Sequence, residues 1–443
     1  MSRQAGKTYF FVVLLIGLII TLSAAWQARM RIIHKEQTHS TKQVNDFDRW
    51  MTMVPEFLHQ HIAYTSDSFP TPPVTLVIFA PFTWLSPANA QFAWVCCKLI
   101  FCCIIFFALF KAVKKAGVEL DMVALTLILL VWLPPVMGDM QEGQTNLLML
   151  TPLATGLALG MIDKSWARWI GGILVGMAVC IKVTPIIFLI YFAWKRQWKI
   201  VGGIGLGLVL GLFVIPTLFF GWSQNWAWFR EWFNIMIVPY VTHGRVEYYV
   251  GQSVPSFLSR LLRHVPAFYS HPHGIAKPHY VNIFNLHRNE SDDLIRVILV
   301  IIGLIGLWWA RAKLRPLGQK RYLLEIGAVA AYMLWASPRT WVPHYVSLAM
   351  TLFAMGMILC DKLQPLKNRQ IAFFVMVAGA VLMFLTTDIG KIFGHNGHRW
   401  MLTIGVSLWA TVLMALTILN ASRSTPGRPI NRSAPQTDPP IGN

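Results

Sequence analysis

Carboxylates are scarce in this chain. Of its 443 residues only 19 are aspartate or glutamate, against 38 lysines and arginines. Charged residues of both signs make up 13% and apolar residues 55%, whereas a soluble globule carries about twice that charged fraction. With a mean hydropathy of +0.52, a soluble domain is excluded and a polytopic membrane protein remains. The net charge of +19 would suit a nucleic-acid binder, but the basic residues stand in short clusters between apolar runs, as orientation signals do. Nucleic acid is therefore excluded as a partner. Cysteine is sparse too: four of the six lie in "CCKLIFCC" (Cys96, Cys97, Cys102, Cys103), inside an apolar run. There they read as small helix residues, not as a disulfide frame or metal set. The chain also lacks a P-loop and a dinucleotide-binding glycine run.

What is present is a series of apolar segments of the roughly 17 to 25 residues that a bilayer demands. They fall at about 8–26, 91–111, 121–138, 145–162, 200–221, 294–310, 322–336, 343–360, 371–387 and 400–419, with two shorter pieces at 169–182 and 184–194. The expectation is an all-α polytopic membrane protein of about twelve transmembrane helices. With the N-terminus inside, alternate connections should be basic. They are "KAVKK", "DKSWAR", "KRQWK", "RAKLRPLGQKR", "DKLQPLKNR" and the tail with Arg423, Arg428 and Arg432. The short connections of opposite parity, "GDMQEGQT", "SPRTWVPH" and "DIGKIFGHNGHR", hold none, one and two lysines or arginines. Residues 1–26 could instead be a signal peptide, with "LSAAWQA" as the cleavage region, but either way residue 46 lies outside. One transmembrane unit over 1–420 is expected, followed by a proline-rich, polar cytoplasmic tail at 421–443 that should be disordered.

Two long segments face the outer side, 27–90 and 222–293. In the first, "PPVTLVIFAPFTWLSP" is apolar but too short to span, so it should dip into the interface or re-enter. The second opens with "GWSQNWAWFREWFNIM", which reads as an interfacial amphipathic helix with aromatic residues at headgroup depth.

Six stretches in order, "NDFDRW", "FPTPPVTLVIFAPF", "GQTNLLML", "GGILVGMAVCIKVTPIIFLIYFAWKRQWK", "GQSVPSFLSR" and "SPRTWVPHYV", resemble the motifs of glycosyltransferase family 87, from about Asp46 to His344. The chain departs from the pattern at Thr71, where the family often has tyrosine, and at Pro343-His344, where it often has a histidine pair. The resemblance implies a type-C glycosyltransferase fold with outer-face loops, in a bacterial inner membrane. It also implies transfer of a hexose, most plausibly mannose, from a polyprenyl-phosphate donor to a lipid or glycan hydroxyl, with inversion. Such a donor carries a good leaving group. The enzyme then needs cations for the departing phosphate and a base for the acceptor proton, and no nucleotide, cofactor or resident metal. The rival class, with equal numbers of spans and intramembrane charge, is a transporter or lipid flippase. Transporters tend to be built of related halves with sites at mid-membrane; no internal repeat is evident here, and the polar candidates collect on one face.

Asp46 matches the family's catalytic carboxylate, and an ordinary carboxylate is ionised at neutral pH and ready to accept a proton. The competing reading is that Asn45 or Asp46 caps a helix. Asp48 is a secondary candidate that more naturally caps or pairs with Arg49. Lys182, between two apolar pieces, is costly there unless it meets a partner such as a lipid phosphate, or snorkels to headgroups. His344 and Arg339 of "SPRTWVPHY", Gln252 and Ser253 of "GQSVP", and Arg245 and Arg260 are candidates for donor phosphate or substrate, with surface charge as the alternative for the arginines. Gln144 and Asn146 either cap a span or hydrogen-bond sugar. His271, His273, His279, His395 and His398 lack the spacing of a zinc set. Lys98 is an intramembrane charge with no partner evident in the sequence.

Overall fold

The computed structural model describes residues 3–38, 42–60, 64, 69–242, 246–312 and 314–424. The described chain is almost wholly helical, with one antiparallel ribbon of two three-residue strands, Phe268–Ser270 and Lys277–His279. Each of the expected apolar segments falls on helix. Among the described residues six helices are long and apolar enough to cross a bilayer: Pro87–Lys115, Met122–Gln141, Trp198–Phe220, Val342–Cys360, Leu366–Phe384 and Val406–Arg423. Four shorter apolar helices accompany them, Val74–Trp84, Asn146–Gly160, Ser165–Ile181 and Thr184–Trp194. The segment expected at 400–419 is divided between Gly394–Thr403 and Val406–Arg423, with a left-handed Gly405 (φ 78°) at the turn.

Three of the basic connections, 195–199, 311–321 and 361–369, meet at one end of the bundle. Lys195 Nζ lies 2.7 Å from Glu325 Oε2, Arg321 Nε 2.9 Å from Glu325 Oε1, and Lys320 Nζ 2.7 Å from Asp361 Oδ2. At the same end Arg321 donates to the carbonyl of Trp309 at 3.0 Å and stacks its guanidinium over that ring. Two connections of the other parity, 138–145 and 337–344, border the cavity described below.

Close approach of small residues sets part of this packing, as it does wherever hydrocarbon surroundings remove the hydrophobic drive between helices. A Cβ on Gly172 would stand 2.3 Å from the Ile200 carbonyl oxygen. Helix Ser165–Ile181 therefore docks backbone to backbone on the helix that begins at Trp198. That docking fixes where its C-terminal end, and Lys182 after it, must stand.

The segment expected to be the first outer one is held by a separate aromatic core. Helix Asp46–Gln60 buries Phe47, Trp50, Val54 and Phe57, spaced three, four and three apart, which is one face of an α-helix. Phe47 stacks on Trp94 with ring centroids 5.3 Å apart, and Trp50 on Phe79 at 5.7 Å. Trp228 and Trp232 of helix Trp222–Trp232 complete the cluster, while Trp222 and Trp226 on the other face stay exposed. Each such buried side chain contributes about 1.5–3 kcal/mol, enough in sum to fix the start of helix Asp46–Gln60 on the bundle.

Candidate functional site

Asn45 is the cap of that helix. Its Oδ1 accepts the Asp48 N–H at 3.0 Å and its Nδ2 donates to the Gln141 carbonyl at 3.2 Å, so Asp46 in the first helical position is not needed for capping. The Asp46 N–H donates to the Glu142 carbonyl at 3.1 Å, which seats the helix start on the connection 142–145. Gly143 makes this possible. Its φ is +66°, and a Cβ there would meet the Cβ and nitrogen of Phe47, both at 2.7 Å. We expect Gly143→Ala to push the helix start outward, lowering stability by about 1–3 kcal/mol and slowing turnover. Unchanged melting temperature and turnover in detergent would show the contact to be slack.

The seated carboxylate faces a cavity of about 470 Å³, the size of a small-ligand pocket. Asp46 Oδ1 pairs with Arg49 Nη2 at 2.8 Å, and Oδ2 accepts from Gln144 Nε2. Burial pushes the Asp46 pKa up from its ordinary 3.8, opposed by the positive charges of Arg49, Lys182 and Lys98 in that order. Across the cavity stands Lys182. Helix Ser165–Ile181 stops there because Pro185 cannot donate back to Ile181, and Lys182 takes an extended conformation (φ −143°, ψ 135°). Its Nζ donates to Asn146 Oδ1 and to Gln144 Oε1, 3.4 Å away, and lies 3.2 Å from His344 Nε2. His344 Nδ1 accepts the Trp341 N–H at 3.1 Å, so a neutral imidazole carries its hydrogen on Nε2. Two donors then face one another, an arrangement that an anion lying over both would satisfy.

The structure thus brings together Asp46, Gln144, Lys182, His344 and Arg339 around one cavity, with Asn146 buried behind Lys182 and bonded to it. Gln252, Ser253 and Arg260 are elsewhere. Arg260 is fully buried, its Nε donating to the Thr403 carbonyl at 3.1 Å and its Nη1 to the carbonyls of Tyr248 and Gly251 at 3.1 and 2.9 Å. Gln252 donates through Nε2 to the Leu402 carbonyl at 2.7 Å, while its main chain binds the Thr340 carbonyl and the Tyr345 hydroxyl, each at 2.7 Å. It therefore holds the loop that carries Trp341 and His344. Ser253 Oγ caps helix Val254–Leu262 by accepting the Ser256 N–H. Arg245 lies outside the described residues.

Asp48 pairs with Lys35 at 2.7 Å and accepts the Val44 N–H at 2.9 Å, not with Arg49 as expected. Residues two apart on a helix do not share a face, so the Asp46-Phe47-Asp48 triplet, for all its D-x-D spelling, splits its carboxylates between different cations. Arg49 is the residue that the sequence reading missed. It sits three positions after Asp46, the helical spacing at which opposite charges meet. Tyr240, whose hydroxyl is 2.8 Å from Ser337 Oγ, and Trp232 also line the cavity. Lys98, left without a partner by the sequence, pairs at 2.9 Å with Asp139, both fully buried.

Several apolar helices long enough to cross a bilayer, beside a cavity lined by both apolar and charged side chains, are the build of a multi-pass membrane protein. Residues 69–338 match glycosyltransferase family 87, and the chain belongs to this family; it is a membrane glycosyltransferase, and the transporter or flippase reading falls. A polyprenol-phosphate-mannose-dependent alpha-(1-2)-phosphatidylinositol mannoside mannosyltransferase of Mycolicibacterium smegmatis is 22% identical, over 84% of this chain and 80% of that protein. Its namesake in Mycobacterium tuberculosis is also 22% identical, over 82% and 79%. Among solved structures, that of ArnT from Cupriavidus metallidurans in the apo state covers 96% of this chain and 78% of its own, with 13% identity and a TM-score of 0.39. Asp46 and His344 both lie outside the matched 69–338, so what is said of them rests on geometry.

Proposed function

We propose that this enzyme transfers a hexose, mannose by the class of its relatives, from a polyprenyl-phosphate donor to an acceptor hydroxyl at the outer face of a bacterial inner membrane. The fold in this reading is of the type-C glycosyltransferase class. The observation that carries it is the shared cavity: among the described residues that line it, the one carboxylate, Asp46, stands with Arg49, Lys182 and Arg339, with His344 beside them. Three cations against one carboxylate give a surplus that suits a phosphate whose negative charge grows as it departs.

In the reaction so read, Asp46 takes the proton of the acceptor hydroxyl as its oxygen attacks the anomeric carbon, and the bond from that carbon to the phosphate oxygen breaks on the opposite side. The sugar is transferred with inversion. Polyprenyl phosphate leaves with the bonding electron pair, its added charge met by Lys182, Arg339 and the Nε2 hydrogen of His344. Arg49 holds Asp46 ionised beforehand and turns to the phosphate once the carboxylate is protonated. The apolar wall of Trp50, Trp232 and Met236 supplies the surroundings for the first prenyl units. The relatives' names give phosphatidylinositol mannoside as their acceptor; for this chain the acceptor class is a lipid or glycan hydroxyl.

The test is transfer of label from polyprenyl-phosphate-mannose in membranes bearing the wild type, with Asp46→Asn as the companion variant. No transfer by the wild type into lipid, glycan or protein fractions would overturn the donor assignment. A pH prediction follows from the same charges. Asp46 must be deprotonated to act, so the rate should fall as pH drops through its raised pKa, placing the acid limb above the ordinary 3.8. Arg49 opposes that rise. Arg49→Met should therefore move the acid limb of kcat/KM to higher pH, and an unmoved limb would show that Asp46 is not the titrating base.

A further inference from the structure

Two neutral hydroxyls of the cavity lining take no part in the chemistry above. Tyr240 Oη and Ser337 Oγ stand 2.8 Å apart, and among the described residues each side chain has the other as its one hydrogen-bond partner. Both line the cavity. A pair of hydroxyls holds two hydrogens, and the bond between them uses one, whichever oxygen donates. The second hydrogen, with the spare lone pairs, is left for a partner.

A break in regular helix brings each of them there. Tyr240 follows the π-turn Phe233–Ile237, which interrupts the helical run from Trp222 to Thr242. At 3.6 residues per turn, an unbroken α-helix would carry Tyr240 about 80° past Trp232. The wider turn takes up one extra residue and cancels that drift. Trp232, Met236 and Tyr240 therefore line the cavity together, while Phe233 and Val238 stay exposed. Such turns occur mostly at functional sites. Trp232 Nε1 donates to the carbonyl of Pro70, itself a lining residue, at 3.0 Å and fixes the run in place. Ser337 lies just past helix Leu314–Ala336, which ends there because a residue before proline, here Pro338, is turned away from helical conformation. The loop is pinned on both sides of Arg339: the Pro338 carbonyl accepts the Val246 N–H at 3.3 Å, and Thr340 Oγ1 donates to the Leu334 carbonyl at 2.9 Å.

The chemistry of the pair selects its partner. Phosphate oxygens only accept, and Lys182, Arg339 and His344 already stand in the cavity to meet them. A sugar hydroxyl donates and accepts at once, as each member of this pair does. Two other uncharged polar side chains of the lining are engaged, Gln144 with Asp46 and Lys182, and Thr71 with Thr75 at 2.6 Å. We propose that Tyr240 and Ser337 together bind one hydroxyl of the donor hexose and so take part in deciding which sugar is transferred. This rests on the polyprenyl-phosphate-hexose reading of the cavity given above.

The test is a competition in membranes bearing the full-length protein. Polyprenyl-phosphate-mannose with one label is mixed in turn with its 2-, 3-, 4- and 6-deoxy counterparts carrying another, and the ratio of labels transferred gives the ratio of kcat/KM. Comparing that ratio between enzymes cancels the intrinsic reactivity of each donor and the amount of active protein. Tyr240→Phe and Ser337→Ala should each lower the discrimination against the same deoxy donor by about 3- to 10-fold, the scale of one hydrogen bond. Discrimination against the other three should stay as in the wild type. Unchanged discrimination against all four in either variant would overturn the proposal. So would a wild type that does not discriminate at all, or a uniform loss of transfer with every ratio preserved, since the pair would then serve the phosphate or the scaffold. Absence of mannose transfer by the wild type would sink the functional reading itself, whereas transfer with unaltered ratios in the variants would sink this inference alone.

Discussion

Asp46→Asn should lower the transfer rate by about 10²–10⁴-fold, the contribution of a positioned general base, while leaving the protein at least as stable as before. Both halves follow from one feature. Burial raises the Asp46 pKa despite the opposing charges of Arg49, Lys182 and Lys98, so the folded state disfavours the ionised form and stability should decline as pH rises through the unfolded and then the folded pKa. Asparagine keeps the shape and an oxygen for Gln144 without that charge. The measurements are single-turnover transfer of labelled sugar and thermal melting in detergent. A variant that retains wild-type transfer would remove Asp46 from the chemistry; one that loses activity together with its cooperative melt would show a scaffolding residue instead.

Lys182→Met should be the second large loss, about 10²–10³-fold in kcat, which corresponds to about 3–4 kcal/mol for one preorganised group at a site of developing charge. The donor phosphate carries one negative charge as a diester and approaches two as it leaves, so the ammonium gains most of its interaction after the ground state. The effect should then fall on kcat and kcat/KM alike, with donor KM moving little. Lys182→Arg should recover only part, because a planar guanidinium cannot reproduce the bonds that one ammonium makes to Asn146 Oδ1 and Gln144 Oε1 while facing His344. A loss confined to KM, with kcat intact, would make Lys182 a binding contact uninvolved in charge development.

The pattern of apolar runs determined the helices of this protein, because a helix exposed to hydrocarbon needs an unbroken apolar surface and no tertiary contact substitutes for it. Its basic clusters set the expected parity of the connections. Within the helices the sequence was silent on pairing. Lys98 and Asp139 are 41 positions apart and come together only because their helices lie side by side. The arginines show the limit most plainly. Arg260 read as a phosphate clamp, and the fold spends it on main-chain carbonyls; Arg49 read as the partner of Asp48, and the fold turns it to Asp46 because helix spacing and Lys35 leave it no nearer choice. Composition and periodicity are properties of short stretches, legible before folding. Which charge meets which is settled by the distances between helix ends, and those exist only once aromatic packing beneath Asp46 and glycine contacts beneath Lys182 have closed the bundle.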